Sequence, residues 1–395
     1  MSGTPVRLAV IQPTSLCNLN CRYCYVPDRM NAQLMTPAVL RATIEFVLAA
    51  LPDGQREVVF LWHAGEPLTA GLHFYRSAFA LVAERAEQRG VKARHSFQTN
   101  ATLVTDEWAE LFGSVDTSIG VSIDGPRHLH DANRVGWNDR GSFDRVMRGV
   151  RTLRRHDFDP AAICVLTRRS LAEPDAIYDF FSEERFPSVG FNVEETEGAH
   201  QTSSLVPDDG EDIRAEYAAF MERLWARRQA DGGRLRVREF ERELAMIREL
   251  QRDAEFVPVP DEAVPFANIT IRRDGAVSTF SPELASSSST RYGDFVIGNV
   301  LTHTPEQVRA GAALMTIASD VEAGRAHCRR ECPYFPVCGG GFQSNRVAEH
   351  GSLAASETHT CRVHRKVLAD VVLTKLRDIT TMYDEAEGHR ASLTA

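Results

Sequence analysis

The chain of 395 residues lacks long apolar runs. No stretch approaches the roughly 18 consecutive apolar residues that suggest a membrane-spanning helix. The opening, MSGTPVRLAVIQPTS, has no basic leader followed by a long apolar core, so it does not read as a secretory signal. Positive charge is also in deficit: 45 Lys and Arg face 54 Asp and Glu, giving a net charge of −9 and a pI near 5.8. General nucleic-acid binding needs a basic footprint and is disfavoured; the basic stretch between Arg325 and Arg330 reads as solvated surface. Internal repeats are missing. The expectation is a cytoplasmic protein with no membrane or nucleic-acid partner. Thiols stay reduced there, so the eight cysteines read as metal ligands rather than disulfides.

What is present is enough for a sizeable core, with 43% apolar and 25% charged residues. The length suggests two or three structural units. Strand patterns at 7–12, 57–62, 94–99, 117–123, 161–167 and 188–193 alternate with amphipathic stretches near 37–51, 72–89, 106–113, 142–155 and 174–184. This alternation predicts βαβ units and a parallel sheet. Six units make an α/β fold, a partial (β/α)6 barrel like a TIM barrel, over 1–203. Chemistry then belongs at the C-terminal ends of the strands. Residues 204–263 read as a bridge of two charged helices broken by ADGG. Residues 264–383 turn to short strands, with a hairpin at Asp274-Gly275, and end in a helix from near Cys361 to about 383. Residues 384–395 read as a flexible tail.

Three cysteines, Cys17, Cys21 and Cys24, stand as C-x3-C-x2-C after the first strand. Soft thiolates select iron–sulfur clusters, zinc or Cu(I). A cubane cluster normally takes four cysteines; with three, one iron keeps an open position. By spacing alone, structural zinc with a remote fourth ligand stays open. Four further cysteines, Cys328, Cys332, Cys338 and Cys361, close a four-ligand set at the other end, where zinc and a cluster both remain possible. Cys164, mid-strand in AAICVLT, reads as a small core residue.

The order of motifs after the strands resembles the radical S-adenosylmethionine (radical SAM) superfamily. The resemblance rests on C-x3-C-x2-C with Tyr23 before its last cysteine, WHAGEP (62–67), FQTNAT (97–102), GVSIDGP (120–126) and HDANR ending at Arg134. It implies a [4Fe–4S] cluster at Cys17, Cys21 and Cys24 whose open iron holds S-adenosyl-L-methionine, which is cleaved to a 5′-deoxyadenosyl radical. It places Tyr23, Ala64, Gly65, Gln98, Asn100, Ser122 and Asp124 around the cofactor, with Glu66 on the cofactor's ammonium and Arg134 on its carboxylate. Ala64 and Ala101 stand where the family usually has glycine.

The rear cysteines resemble the SPASM extension of radical SAM peptide maturases, which usually carries seven cysteines and two auxiliary clusters. Here Ser281 and Phe342 occupy cysteine positions, and the absent ligands all belong to the first auxiliary cluster. The resemblance implies one auxiliary [4Fe–4S] cluster, at Cys328, Cys332, Cys338 and Cys361. Together with TIRRDGAVSTFSPEL, YGDFVIGNV and CPYFPVCGGGFQSN, the chain is similar over about residues 6–375 to the cyclophane-forming GrrM/OscB type.

That likeness implies a ribosomally made precursor peptide as substrate. A radical at the β-carbon of one residue attacks a nearby aromatic ring, and loss of an electron and a proton leaves a C–C crosslink. The auxiliary cluster is the natural electron acceptor. A base must receive the ring proton; candidates are polar groups from Gln98 to Asn100, Asn192, Glu194 and Glu283. A reducing partner such as flavodoxin or ferredoxin is implied. The first ligand is residue 17, so leader recognition is expected to use another surface or a separate leader-binding protein. Competing readings are thioether crosslinking, epimerisation, formylglycine formation, a small-molecule radical SAM dehydrogenase, or a zinc-bound interaction module without catalysis.

Overall fold

The computed structural model describes residues 3–206 and 212–378. Six parallel strands follow one another in space as in sequence: β1 (Leu8–Gln12), β2 (Glu57–Trp62), β3 (Lys92–Thr99), β4 (Thr117–Ser122), β5 (Ala161–Leu166) and β6 (Ser188–Val193). Between them run α1 (Pro37–Ala50), α2 (Gly71–Gln88), α3 (Asp106–Gly113), α4 (Arg127–Asn133), α5 (Phe143–Arg155), α6 (Arg168–Leu171) and α7 (Pro174–Glu183). The expected α/β architecture is therefore present. α4 and α6 were not anticipated, since four to seven residues are too few for an apolar period to show.

Local chemistry explains the element starts. Thr36 caps α1 by accepting from Val39 N, with Pro37 at the first helical position. Thr105 caps α3, whose first turn carries Asp106 and Glu107 where the helix dipole favours anions. α5 turns Val146, Met147, Val150 and Leu153 inward and its arginines outward. Between the sheet and α2 and α3, Trp62, Tyr75, Phe97 and Phe112 are fully buried. Tyr75 meets Trp62 edge-on at 5.2 Å and Phe97 at 5.0 Å, and Phe97 meets Phe112 at 4.8 Å. Truncating such an aromatic to alanine costs roughly 3–5 kcal/mol, so this packing holds the β2–β3 platform rigid.

The bridge is less separate than its helical period suggests. It holds α8 (Arg214–Ala230) and α9 (Arg238–Arg252), but the short strand β7 (Arg236–Val237) between them pairs parallel with β6. The rear hairpin, β8 (Asn268–Arg272) and β9 (Ala276–Thr279), turns at Asp274-Gly275 as expected. β8 also pairs parallel with β1, from Leu8↔Asn268 to Gln12↔Arg272. With β10 (Gly298–Asn299) the sheet has ten strands in one continuous order. Then follow α10 (Pro305–Arg309), α11 (Ala312–Glu331), α12 (Phe335–Cys338) and α13 (Gln343–His350). The last helix opens at residues 359–360, passes through a π turn, Cys361–Lys366, and continues through residues 367–378. The end expected for it near 383 and the tail expected at 384–395 lie outside the described residues. Among the described residues no helix is long and apolar enough to cross a membrane.

Candidate active site and metal centres

The loop after β1 carries Cys17, Cys21 and Cys24 and is pinned by the segment after α4. Asn20 N donates to Val135 O at 2.7 Å and Arg22 N to Asn133 O at 3.0 Å. Trp137 Nε1 donates to Cys17 O at 2.9 Å, and Arg29 Nη1 to Cys21 O at 3.2 Å. Leu19 N points at Cys17 Sγ from 3.4 Å, a donor suited to a thiolate. The three thiols sit close enough to repel one another's ionisation. Burial raises the pKa of Cys17 most and pushes Cys21 up to about 11. Without metal Cys17 and Cys21 are thiols, and ligation must release their protons.

Glu66 ties the ends of β2 and β3 together. Its carboxylate accepts from Thr99 Oγ1 at 2.7 Å, Asn100 N at 2.7 Å and Leu68 N at 3.1 Å. It is 1% exposed, and burial pushes its pKa up to about 7 against those three bonds. Asn100 Nδ2 bonds Asn18 Oδ1 at 2.9 Å and lies 4.0 Å from Cys17 Sγ, joining this corner to the cysteine loop. Gly65 has a φ of +57°, and a Cβ there would lie 2.5 Å from Leu16 O. Ala64 and Ala101 keep left-handed backbone, at φ +70° and +56°, although they are not glycine. Such an alanine costs roughly 1–2 kcal/mol. Both methyls are buried, and about 0.8 kcal/mol from each partly offsets the strain.

After β4 the expected cofactor residues converge. Asp124 accepts from Tyr23 OH, from Val165 N at 3.0 Å and from Arg134 Nη2 at 3.0 Å. Arg134 is 7% exposed and stacks on the Tyr23 ring at 5.3 Å. Its Nε–H is buried with no partner. A buried guanidinium with a spare donor suits a further carboxylate, so the donor set fits an amino-acid-bearing ligand with Glu66 on the opposite side of the charge pattern. Gln98 Nε2 donates to Ser122 Oγ at 2.9 Å.

The base candidates lie in different settings. Asn192 is exposed and accepts from Arg238 Nη2 at 2.7 Å. Glu194 organises its own loop: Ser204 N and Oγ donate to its Oε2, and His200 Nε2 lies 3.2 Å from its Oε1. Glu283 stands in a 3₁₀ turn, Pro282–Ser286, where burial raises its pKa. Two neighbours were not singled out from the sequence, Glu195 and Glu197. Burial, with Glu283 adding repulsion, pushes Glu195 up to about 8. Burial and then Glu195 raise Glu197 well above the usual carboxylate range. On one side Glu283 and Glu197 face Tyr25, the neighbour of Cys24. On the other, Asn345 Nδ2 donates to Glu197 Oε1 at 3.2 Å. The signal was there in EETEG after β6, but a charge run usually marks a solvated surface.

Cys328 and Cys332 flank the end of α11, Cys338 ends α12 and Cys361 opens the π turn. All four line one cavity with Asn345, Phe342 and Arg346. Burial pushes Cys361 up to about 12, and Cys338 adds to it. The Phe342 ring, at a position where the resemblance has cysteine, lies 4.4 Å from the Arg365 guanidinium and 5.8 Å from that of Arg242. Ser281 is 1% exposed with no partner for its hydroxyl. Cys164 is fully buried in the core. Tyr217 OH, on α8, bonds His364 Nδ1 at 2.7 Å and fixes the π turn against the barrel.

Comparison with known proteins agrees with this geometry. Residues 11–181 match the radical SAM superfamily. Protein sll1766 of Synechocystis sp., itself uncharacterised, is 39% identical over 377 residues, covering 95% of this chain and 93% of that protein. The serine-type anaerobic sulfatase-maturating enzyme of Klebsiella aerogenes is 35% identical over 222 residues, about half of each protein (55% and 53%). A solved structure of anSMEcpe with bound AdoMet and Cp18Cys peptide has a TM-score of 0.75 at 20% identity, covering 95% of this chain and 99% of that one, which speaks to the fold. The superfamily implies S-adenosylmethionine and a [4Fe–4S] cluster, and the thiol triad, Glu66 and Arg134 form a donor set that suits them. With its strand order, its C-x3-C-x2-C loop and these matches together, the chain belongs to the radical SAM superfamily and is a radical SAM enzyme.

Proposed function

We propose that this enzyme installs a C–C crosslink, a cyclophane, between an aromatic side chain and the β-carbon of a nearby residue in a ribosomally made precursor peptide. Cys17, Cys21 and Cys24 would hold the cluster, with Glu66 and Arg134 holding the two ends of the cofactor's amino-acid group. Bound there, cluster and cofactor would supply the radical chemistry for hydrogen abstraction. An electron donor such as flavodoxin or ferredoxin supplies the reducing equivalent, and the setting is cytoplasmic.

The observation that carries the reading is the placement of Glu195, Glu197 and Glu283 between the two cysteine sets. Glu283 and Glu197 reach Tyr25 beside Cys24 at one side, and Glu195 and Glu197 reach Asn345, on the cavity of the rear cysteines, at the other. A reaction that ends by losing a proton and an electron needs a base and an acceptor close together. We assign the base to Glu283. The Glu194 carboxylate is engaged by Ser204 and His200, whereas raised carboxyls are closer in pKa to a working base at neutral pH. What supports a cluster over zinc at the rear site is the likeness of Cys328, Cys332, Cys338 and Cys361, which line one cavity, to the second auxiliary-cluster ligands of the SPASM extension. A peptide substrate is further supported by the peptide bound in the anSMEcpe structure.

Formylglycine formation is the second reading, favoured by the match to the sulfatase-maturating enzyme. Against it stand Ser281 and Phe342, where the resemblance has first-auxiliary-cluster cysteines. The test is anaerobic co-expression with the small open reading frame beside the gene, then digestion and fragmentation of the peptide. A cyclophane removes two hydrogens and suppresses fragments between the joined residues. Oxidation of serine to formylglycine removes the same mass but leaves full fragmentation and an aldehyde that hydrazide reagents trap. An unchanged mass with deuterium uptake from heavy water would instead mean epimerisation.

A further inference from the structure

We infer that Arg346 is a fixed cation that sets the redox potential of the group held by Cys328, Cys332, Cys338 and Cys361. The inference rests on the proposed reading that those thiolates hold an iron–sulfur cluster.

Arg346 is 1% exposed. Its Nη2 lies 3.4 Å from Cys328 Sγ and also donates to Gly340 O. Its Nη1 donates to Leu353 O at 3.3 Å and to Gln343 Oε1 at 3.4 Å. Apart from the sulfur, every one of these acceptors is neutral. The other buried arginines are matched by acids: Arg134 has Asp124 at 3.0 Å and Arg365 has Glu243 at 3.9 Å. Lys366, at the same cavity, is paired with Glu357 at 2.9 Å. Among the described residues no carboxylate forms an ion pair with Arg346. A buried cation without a counter-ion is strongly unfavourable, so the anion it answers to is the thiolate set.

The place for this cation is built into a second helix. Gly324 sits inside α11, where glycine weakens a helix relative to alanine. A Cβ there would lie 2.3 Å from Arg346 Nη1 and 2.5 Å from Leu353 O. The helix is thus kept bare where the guanidinium passes. Gly324 and Cys328 are one turn apart on α11, so the same helix supplies both the ligand and the room for its donor.

The electrostatic consequence has a definite sign. A cubane carried by four thiolates is net anionic, and more so when reduced. A nearby fixed cation stabilises the reduced form, and an N–H directed at a ligand sulfur does the same. Burial strengthens both effects. Arg346 therefore raises the potential and makes the group a better acceptor for the electron released when the crosslinked adduct loses its proton. It acts through the ligand sulfur and is a positioning residue.

The experiment uses full-length protein with Cys17, Cys21 and Cys24 changed to alanine, so that only the rear site is loaded. Iron and acid-labile sulfide are counted, and the midpoint potential is read by anaerobic redox titration with electron paramagnetic resonance. In that background Arg346→Gln is expected to move the potential to a more negative value, while Arg346→Lys, which keeps the charge, stays close to the parent. Arg346→Met serves where Gln prevents folding. With the front cysteines restored, the charge-removing variants should yield less crosslinked peptide per 5′-deoxyadenosine formed. Iron at parental occupancy with an unshifted potential in Gln and Met would overturn the inference alone. Equal shifts in Lys, Gln and Met would also overturn it, because geometry rather than charge would then be responsible. Zinc in place of iron would overturn the cluster reading and the inference with it.

Discussion

Replacing Gly65 by alanine tests whether the end of β2 positions the first cysteine ligand. At φ +57°, an added Cβ would lie 2.5 Å from Leu16 O, 2.6 Å from Ser15 O and 2.7 Å from Ser15 C. These are backbone atoms, so no rotamer change relieves the clash. Leu16 O also accepts from Glu66 N at 2.8 Å, which leaves that strand end little freedom to retreat. The left-handed conformation costs roughly 1–2 kcal/mol for alanine and the overpacking about 1–3 kcal/mol more, or roughly 2–5 kcal/mol in all. Relief must displace Ser15 and Leu16, and with them Cys17. The control is Gly90→Ala, where φ is +62° but nothing lies within 4 Å of the new Cβ; only the roughly 1–2 kcal/mol of the left-handed conformation is expected there. Urea unfolding of the metal-free protein measures the stability loss, and iron per chain after anaerobic reconstitution measures the displaced ligand. Gly65→Ala should fall in both, Gly90→Ala only slightly in the first. Equal stability losses with full iron in both variants would refute the reasoning.

Other outcomes follow from the same geometry. The Glu66 carboxyl, pushed up to about 7, is an anion above that pH and neutral below it. S-adenosylmethionine affinity, measured by equilibrium dialysis on cluster-loaded protein, should hold above pH 7 and fall by up to about tenfold per unit below it. The fold itself runs the other way: the stabilisation from keeping Glu66 protonated is full below its unfolded value and is lost as pH rises through 7. A binding curve flat across this range would remove Glu66 from cofactor recognition. Glu283→Gln should leave 5′-deoxyadenosine formation in place while lowering crosslinked peptide by on the order of 100-fold; liquid chromatography of both products reads the two together, and an unaffected peptide yield would clear Glu283 of the role.

The barrel strands were legible because their apolar runs, buried on one face and half-buried on the other, are bounded by turns, as in EVVFLW and AAICVL. The thiol triad was legible because its cysteines are close in sequence. What escaped depends on contacts between distant segments. β8 pairs directly with β1 although all the other barrel strands lie between them in sequence, and no local period announces that. Glu195 and Glu197 stand in EETEG, and nothing in that run announces the turn at Glu283 and the start of α13 that lie against them. Nothing local in the sequence marks Arg346, and only the bare turn at Gly324 in another helix shows what it reaches. Ala64 and Ala101 looked like departures from a glycine pattern; the backbone kept the glycine-like conformation and absorbed the strain.

The most direct measurement traces one hydrogen. The precursor peptide, made with deuterium at the β-carbon of the residue to be joined, is incubated anaerobically with the reconstituted enzyme, S-adenosylmethionine and a reductant. The expected result is 5′-deoxyadenosine carrying one deuterium, with a crosslinked peptide that has lost that deuterium and one ring hydrogen. Deuterium retained in a modified peptide, with unlabelled 5′-deoxyadenosine, would contradict β-carbon abstraction and the crosslink drawn from it.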